Sequence, residues 1–413
     1  MRRPSRRTLL GGLALGGGAL VAARCALPGW LAARPVRGVE QLSAAARSLV
    51  ARALAGLALT RVVDLHVHLA GLGDGGTGCW VNPRFRSQLH PVERLRFELY
   101  LAAGGAREDG AADAHYVERL LALVHASGRP LRLLLYAFDV RVRPDGEEDL
   151  EHSMFRVPDA YVLALAQAHP EFLACASVHP YRRDALARLE AAAAGGAVAV
   201  KWLPPAMGID PAEPRLEAYY AKLAELGLVL LVHTGEERAV WSEDAGALAN
   251  PLLLRAPLAA GVKVVALHCA SLGSLPDLDD PARPPVPGFE LFLRLLAEAG
   301  PSGRLFGELS ALTQVNRDPA LLATLLARPE LHGRLLNGSD YPLVAIDPLT
   351  SLGRFVRAGL LAPEERAPLR EVFEANPLLF DLVLKRCLRV AGPGGPLRFA
   401  PGVFETARLF DKL

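Results

Sequence analysis

The chain has 413 residues, 51% of them hydrophobic, enough for one large domain or two ordinary ones. A net charge of +2 gives no global pull toward nucleic acid or a membrane surface. Five cysteines, Cys25, Cys79, Cys175, Cys269 and Cys387, are scattered without a CxxC pair, which argues against a structural zinc site or a disulfide framework. Cys175 and Cys269 fall inside apolar runs, as buried thiols do. Lysine is scarce (Lys201, Lys222, Lys263, Lys385, Lys412), so each one stands out.

The chain begins "MRRPSRRTLLGGLALGGGALVAARC". Arginines precede an uncharged run from Thr8 to Ala23, the layout of an export signal. "SRRTLL" resembles a twin-arginine signal, with Arg6 and Arg7 as the pair. The run is shorter than the roughly 20 apolar residues of a membrane span, so a permanent signal anchor is the weaker alternative. Arg24 argues against a lipid-anchored Cys25. The resemblance implies passage through the twin-arginine export machinery to the periplasm or beyond, as a folded protein with any cofactor loaded. Residues 1–30 are assigned to this signal and 31–58 to a helical lead-in.

From about residue 60, short apolar runs alternate with amphipathic stretches. The apolar runs are "RVVDLHVH", "LRLLLYAF", "FLACASVH", "VAVKWL", "LVLLVHTG", "KVVALHCA", "RLFGELSA" and "RLLNGSDY"; "EAYYAKLAELG" and "FELFLRLLAEAG" read as helices between them. Apolar strands alternating with helices form a parallel sheet covered on both faces. Eight of them predict an α/β (β/α)8 TIM barrel over residues 59–390, with a tail over 391–413. Two stretches exceed what a strand–helix step needs. One is residues 69–130, with "GDGGTGCWVNPRF" and a helix near 113–127; the other is "SLPDLDDPARPPVPG" after the sixth strand. Both are βα-loop insertions leaving the C-terminal ends of strands, where such barrels place their sites. Trp80, Trp202 and Trp241 are candidates for the pocket wall, with plain packing as the alternative.

Residues i and i+2 of a strand share a face, so Asp64, His66 and His68 are predicted to point together into the barrel mouth. His233, His268 and Asp340 close strands five, six and eight, and Lys201 lies on strand four. Neutral imidazole suits zinc and similar ions, so four histidines and a carboxylate converging there make a metal site. Asp64, one layer deeper, supports rather than ligates. Asp139 and Glu308 are candidates for orienting a histidine or for capping helices. His179, at the end of strand three, and Arg182 are candidate substrate contacts. His90, His115, His125, His152, His169 and His332 read as structural or surface residues.

"DLHVH", "VKWLPP", "LVHTGE", "ALHCAS" and "NGSDYPL", in this order, with "ANPLLFDL" as a closing helix, resemble the amidohydrolase superfamily, in its metal-dependent amidohydrolase-related branch, over roughly residues 60–390. The resemblance implies a divalent metal, zinc first, as one or two ions on His66, His68, His233 and His268. It implies that Asp340 touches the metal and handles the proton of the attacking water. A strand-four lysine in this superfamily is either carboxylated and bridges two ions or stays free in single-ion members, and for Lys201 both remain open. The implied activity is a metal-dependent hydrolase acting on an amide, ester or lactone carbonyl of a small molecule. The alternative is a decarboxylase on the same ligands, and beyond it an exported barrel without catalysis. No nucleic-acid partner is expected, and the oligomeric state is not legible.

Overall fold

The computed structural model describes residues 34–240, 246–300 and 303–411. The export signal, with Arg6, Arg7 and Cys25, lies outside the described residues, as does Trp241. Eight parallel strands form the central sheet: β1 (Val63–His68), β2 (Arg132–Tyr136), β3 (Phe172–Ala176), β4 (Ala197–Trp202), β5 (Val229–His233), β6 (Val264–Leu267), β7 (Leu305–Glu308) and β8 (Leu335–Leu336). Their spatial order is their chain order. The Leu65 and His68 amides donate to the Asn337 and Tyr341 carbonyls, and Asp340 N–H returns the contact to the His66 carbonyl. The last strand thus meets the first, and the molecule is the expected (β/α)8 barrel.

Alternation along the strands divides the core. Leu134, Tyr136, Cys175, Ala199, Leu231, Val265 and Phe306 cluster in the barrel lumen, while Leu135, Ala174, Val200, Leu230 and Val264 join the layer between sheet and helices. In β1 the pattern breaks. Val63 and Leu65 belong to the lumen cluster, Val67 to the outer layer, and the pairing register slips between Asp64 and Val67. A bulge of this kind turns two consecutive side chains to one face. The shared face predicted for Asp64, His66 and His68 therefore does not hold: the two histidines turn into the mouth, and Asp64 faces the outer layer. There Asp64 accepts hydrogen bonds from the amides of Ser339 at 2.8 Å and His66 at 3.1 Å. Burial raises its carboxyl to about 6.

The long insertion after β1 is ordered by polar anchors. It carries helices at Pro91–Ala103 and Ala112–Ala126. The Asp113 carboxylate accepts hydrogen bonds from the Leu72 and Gly73 amides and the Thr77 hydroxyl. The Tyr116 hydroxyl donates to the His68 carbonyl at 2.8 Å, and that of Tyr341 to the Ala103 carbonyl at 3.0 Å. At the opposite end of the barrel the C-terminal segment is packed rather than loose. Ala407, Leu409 and Phe410 join the lumen cluster, and the Thr406 hydroxyl donates to the Val63 carbonyl. Among the described residues, no helix is long and apolar enough to cross a membrane.

Candidate metal centre

The ends of β1, β6 and β8 bring three ligand atoms together. One from each of His66, His268 and Asp340 lie within 4.8 Å of one another, all three residues being buried. His68 adds its ring from the partly open side: its Nε2 lies 3.2 Å from His66 Nε2 and 3.5 Å from Asp340 Oδ1. Asp340 Oδ1 is 3.4 Å from His66 Nε2, and Gln314 donates to Oδ2 at 3.3 Å. Backbone twist sets these positions. Asp340, His268, Cys269 and Ala270 all have positive φ, costly for residues with a side chain and typical of functional sites. Gly338 must be glycine for a different reason. A Cβ there would lie 2.3 Å from Glu308 Oε1 and 2.6 Å from His66 Cβ.

Behind the candidate ligands stands Glu308, fully buried on β7. Its Oε2 lies 3.3 Å from His66 Nδ1 and accepts from the Ser310 hydroxyl at 2.6 Å and the His268 amide at 3.3 Å. The Ser310 hydroxyl also touches His66 Nδ1 at 3.0 Å and His268 Nδ1 at 2.8 Å. A carboxylate on Nδ1 fixes the tautomer in which Nε2 keeps its lone pair. Desolvation pushes the His66 and His268 imidazoles well below their ordinary range and lowers those of His68 and His233 as well. The rings are neutral at pH 7, as ligation requires. Burial pushes the Asp340 carboxyl up, but the His68 hydrogen bond and the electrostatic influence of His268, His68 and Arg317 outweigh it and hold it below the usual range. Neutral imidazoles aimed at one another around an ionised carboxylate could hold a divalent cation.

His233 stands at the edge of this cluster. Its ring centroid is 4.9 Å from that of His268, its Nδ1 lies 3.4 Å from Glu237 Oε2, and its Nε2 lies 3.2 Å from the Gly235 carbonyl. Lys201 is buried on β4 with its ammonium 5.1 Å from the centre of the Tyr136 ring. Desolvation lowers that ammonium to about 8 against the pull of Glu237 and Asp340. His68, Lys201, His233, His268 and Asp340 all border one polar cavity of about 190 Å³.

His179 and Arg182 do not border that cavity. His179 is fully buried; its Nε2 lies 2.9 Å from the Met207 carbonyl, and its Nδ1 accepts from the Tyr181 amide. Arg182 grips Asp139 through two hydrogen bonds of 2.7 and 2.6 Å. Trp202 packs on Tyr219 and donates to the Val178 carbonyl. The cavity wall holds other polar groups that sequence reasoning missed: Glu237, Gln314 and Arg317. Glu237 follows "LVHTG" closely enough to have been suspected; Arg317 lies in a loop with no pattern to single it out.

A (β/α)8 barrel with histidines and an aspartate gathered at the C-terminal ends of its strands defines a class of metal-binding enzyme folds. The amidohydrolase family model matches residues 63–378, and the chain belongs to that family. Its superfamily includes both hydrolases and decarboxylases. Among solved structures, 2,6-dihydroxybenzoate decarboxylase complexed with 2,6-dihydroxybenzoate is 14% identical, with 78% of this chain and 99% of that one covered and a TM-score of 0.44. 5-Carboxyvanillate decarboxylase from Sphingomonas paucimobilis is 12% identical, covering 77% and 96%, with a TM-score of 0.41. N-isopropylammelide isopropylaminohydrolase from Burkholderia multivorans is 18% identical, covering 83% and 84%, with a TM-score of 0.38. At such identities none of them lends its substrate to this chain. No functionally curated protein matches the sequence at a significant level.

Proposed function

We propose that the protein is a metal-dependent hydrolase adding water to an amide, ester or lactone carbonyl of a small molecule. The observation that carries this reading is Asp340. One carboxylate oxygen faces His66 and His68 while Gln314 holds the other, on the wall of a cavity sized for a small substrate. Zinc, or a similar ion held by His66, His68, His268 and Asp340 with His233 at its edge, would supply Lewis acidity and lower the pKa of water. Ionised at neutral pH, Asp340 accepts a proton from the attacking water and returns it to the leaving group. Lys201, whose ammonium has no carboxylate within ion-pair reach among the described residues, faces the substrate's oxygen. A lowered amine also suits carboxylation, so a bridging role between two ions remains part of the proposal.

The decarboxylase reading has one observation of its own. Arg317 borders the cavity, is only 8% exposed, and hydrogen-bonds to Gln314, Asn316 and Ser271 without a carboxylate partner among the described residues. Such a cation suits a substrate carboxylate. Turnover of an ester, lactone and amide panel by the zinc-supplemented protein in ¹⁸O-labelled water separates the two. One labelled oxygen in the product carboxylate supports hydrolysis. Carbon dioxide release from an aromatic or unsaturated acid, with no hydrolysis across the panel, overturns it. Passage through the twin-arginine machinery belongs to the same proposal, supported by Arg6 and Arg7 before the Thr8–Ala23 run.

A further inference from the structure

Beside the polar cavity lies a second hollow of about 120 Å³, walled by Leu69, Phe85, Phe97, Leu101, Met154 and Phe155. The two share His68, Tyr100, Ala239, Val240 and Leu343, so they adjoin across the ring of a candidate ligand. Apart from His68, Arg96 is the one ionisable nitrogen-bearing side chain on its wall among the described residues. The walls come from what the barrel does not need: the insertion after β1 and the ribbon that pairs Trp80–Val81 with Phe155–Arg156. These pieces are pinned in place. The Tyr100 hydroxyl donates to the Ala239 carbonyl at 3.3 Å, and the helix ending at Ala103 is held by Tyr341. An apolar hollow kept open forfeits dispersion contacts. Where it borders a reactive mouth, the apolar part of a ligand is its natural filling.

We propose that the substrate carries, next to its reacting carbonyl, an uncharged hydrocarbon arm, aliphatic or aromatic, that seats in this hollow. The hydrolase reading supplies the carbonyl; the hollow supplies the arm. Binding of acetohydroxamate, butanohydroxamate and hexanohydroxamate to the zinc-loaded protein, measured by calorimetry, tests it. Each added methylene is expected to tighten binding about fourfold while the hollow fills. Phe97→Ser should bring the hexano-to-aceto ratio toward one. Equal affinities along the series overturn the proposal. The neutral fluorophore 1-aminoanthracene probes the hollow with metal removed: enhanced emission that Ala70→Phe and Phe97→Ser each abolish supports the arm. No binding of the fluorophore to the metal-free protein overturns it, whatever the hydroxamates do. If the fluorophore binds and no hydroxamate does, the hollow stands and the metal-centred hydrolase reading falls.

Discussion

Glu308→Gln separates a ligand-supporting role from a packing role. In the metal-free protein, burial raises the Glu308 carboxyl to about 8, so at pH 7 it is largely a neutral acid. An amide of nearly the same shape keeps an acceptor for the Ser310 amide, now at 2.7 Å, and loses the acceptor of the Ser310 hydroxyl at 2.6 Å and the His268 amide at 3.3 Å. A neutral hydrogen bond is worth about 1 kcal/mol, so metal-free stability should change by about 1–2 kcal/mol. A bound dication alters the comparison. The carboxylate form on His66 Nδ1, 3.3 Å away, then strengthens the ligand, and its loss should weaken metal affinity by roughly 10- to 100-fold, or about 1.4 to 2.7 kcal/mol. Competition with a zinc chelator gives the affinity; urea unfolding of the metal-free protein gives the stability. An unchanged zinc affinity in a folded Glu308→Gln protein would refute the support role. A large loss of metal-free stability with no change in affinity would make Glu308 a packing residue.

Three other outcomes are expected. Desolvation lowers His179 to about 4 from an ordinary 6.5, so the unfolded chain binds the extra proton between those values. Its contribution to stability is therefore intact above about 6.5 and declines as pH falls to 4, by up to about 3 kcal/mol. Urea unfolding of His179→Gln across that range should show a shallower acid decline than the parent; parallel curves would remove His179 from the account. Asp159, raised by burial to about 6, acts with the opposite sign between 3.8 and 6, which is why the comparison must be made against the variant. Leu409→Ala, truncating a side chain 1% exposed, should cost about 2–5 kcal/mol of stability by the same measurement, whereas a cost under 0.5 kcal/mol would mean the tail does not seal the lumen. Arg6→Lys with Arg7→Lys should leave a folded precursor in the cytoplasm when cell fractions are blotted; normal export of that double variant would end the signal reading.

Much of the fold is legible because parallel strands buried on both faces must be written as apolar runs, and each of the eight runs became a strand. That His66, His68, His268 and Asp340 meet in one barrel mouth was legible because each ends an apolar run of a parallel barrel. The orientation of Asp64 was not. The bulge is held by partners distant in sequence: Ser339 and Asn337, just past β8 and some 270 residues away, bond Asp64 and Leu65. His179 carried the same signal as the clustered histidines, an imidazole just past an apolar run. The Met207 carbonyl and the Tyr181 amide that occupy its ring become visible only in three dimensions. The assignment of 391–413 as a tail carried no hint of its place, and Leu409 and Phe410 are core.

The seal at the barrel floor also dictates an order of manufacture. Thr406, Leu409 and Phe410 close the end of the lumen opposite the histidine–aspartate cluster, and they rest on β1, made more than 300 residues earlier. They are made after all eight strands, so until they emerge the newborn lumen lies open to water at its base. A nascent chain in that state exposes apolar lining, and the arrival of Thr406, Leu409 and Phe410 covers it.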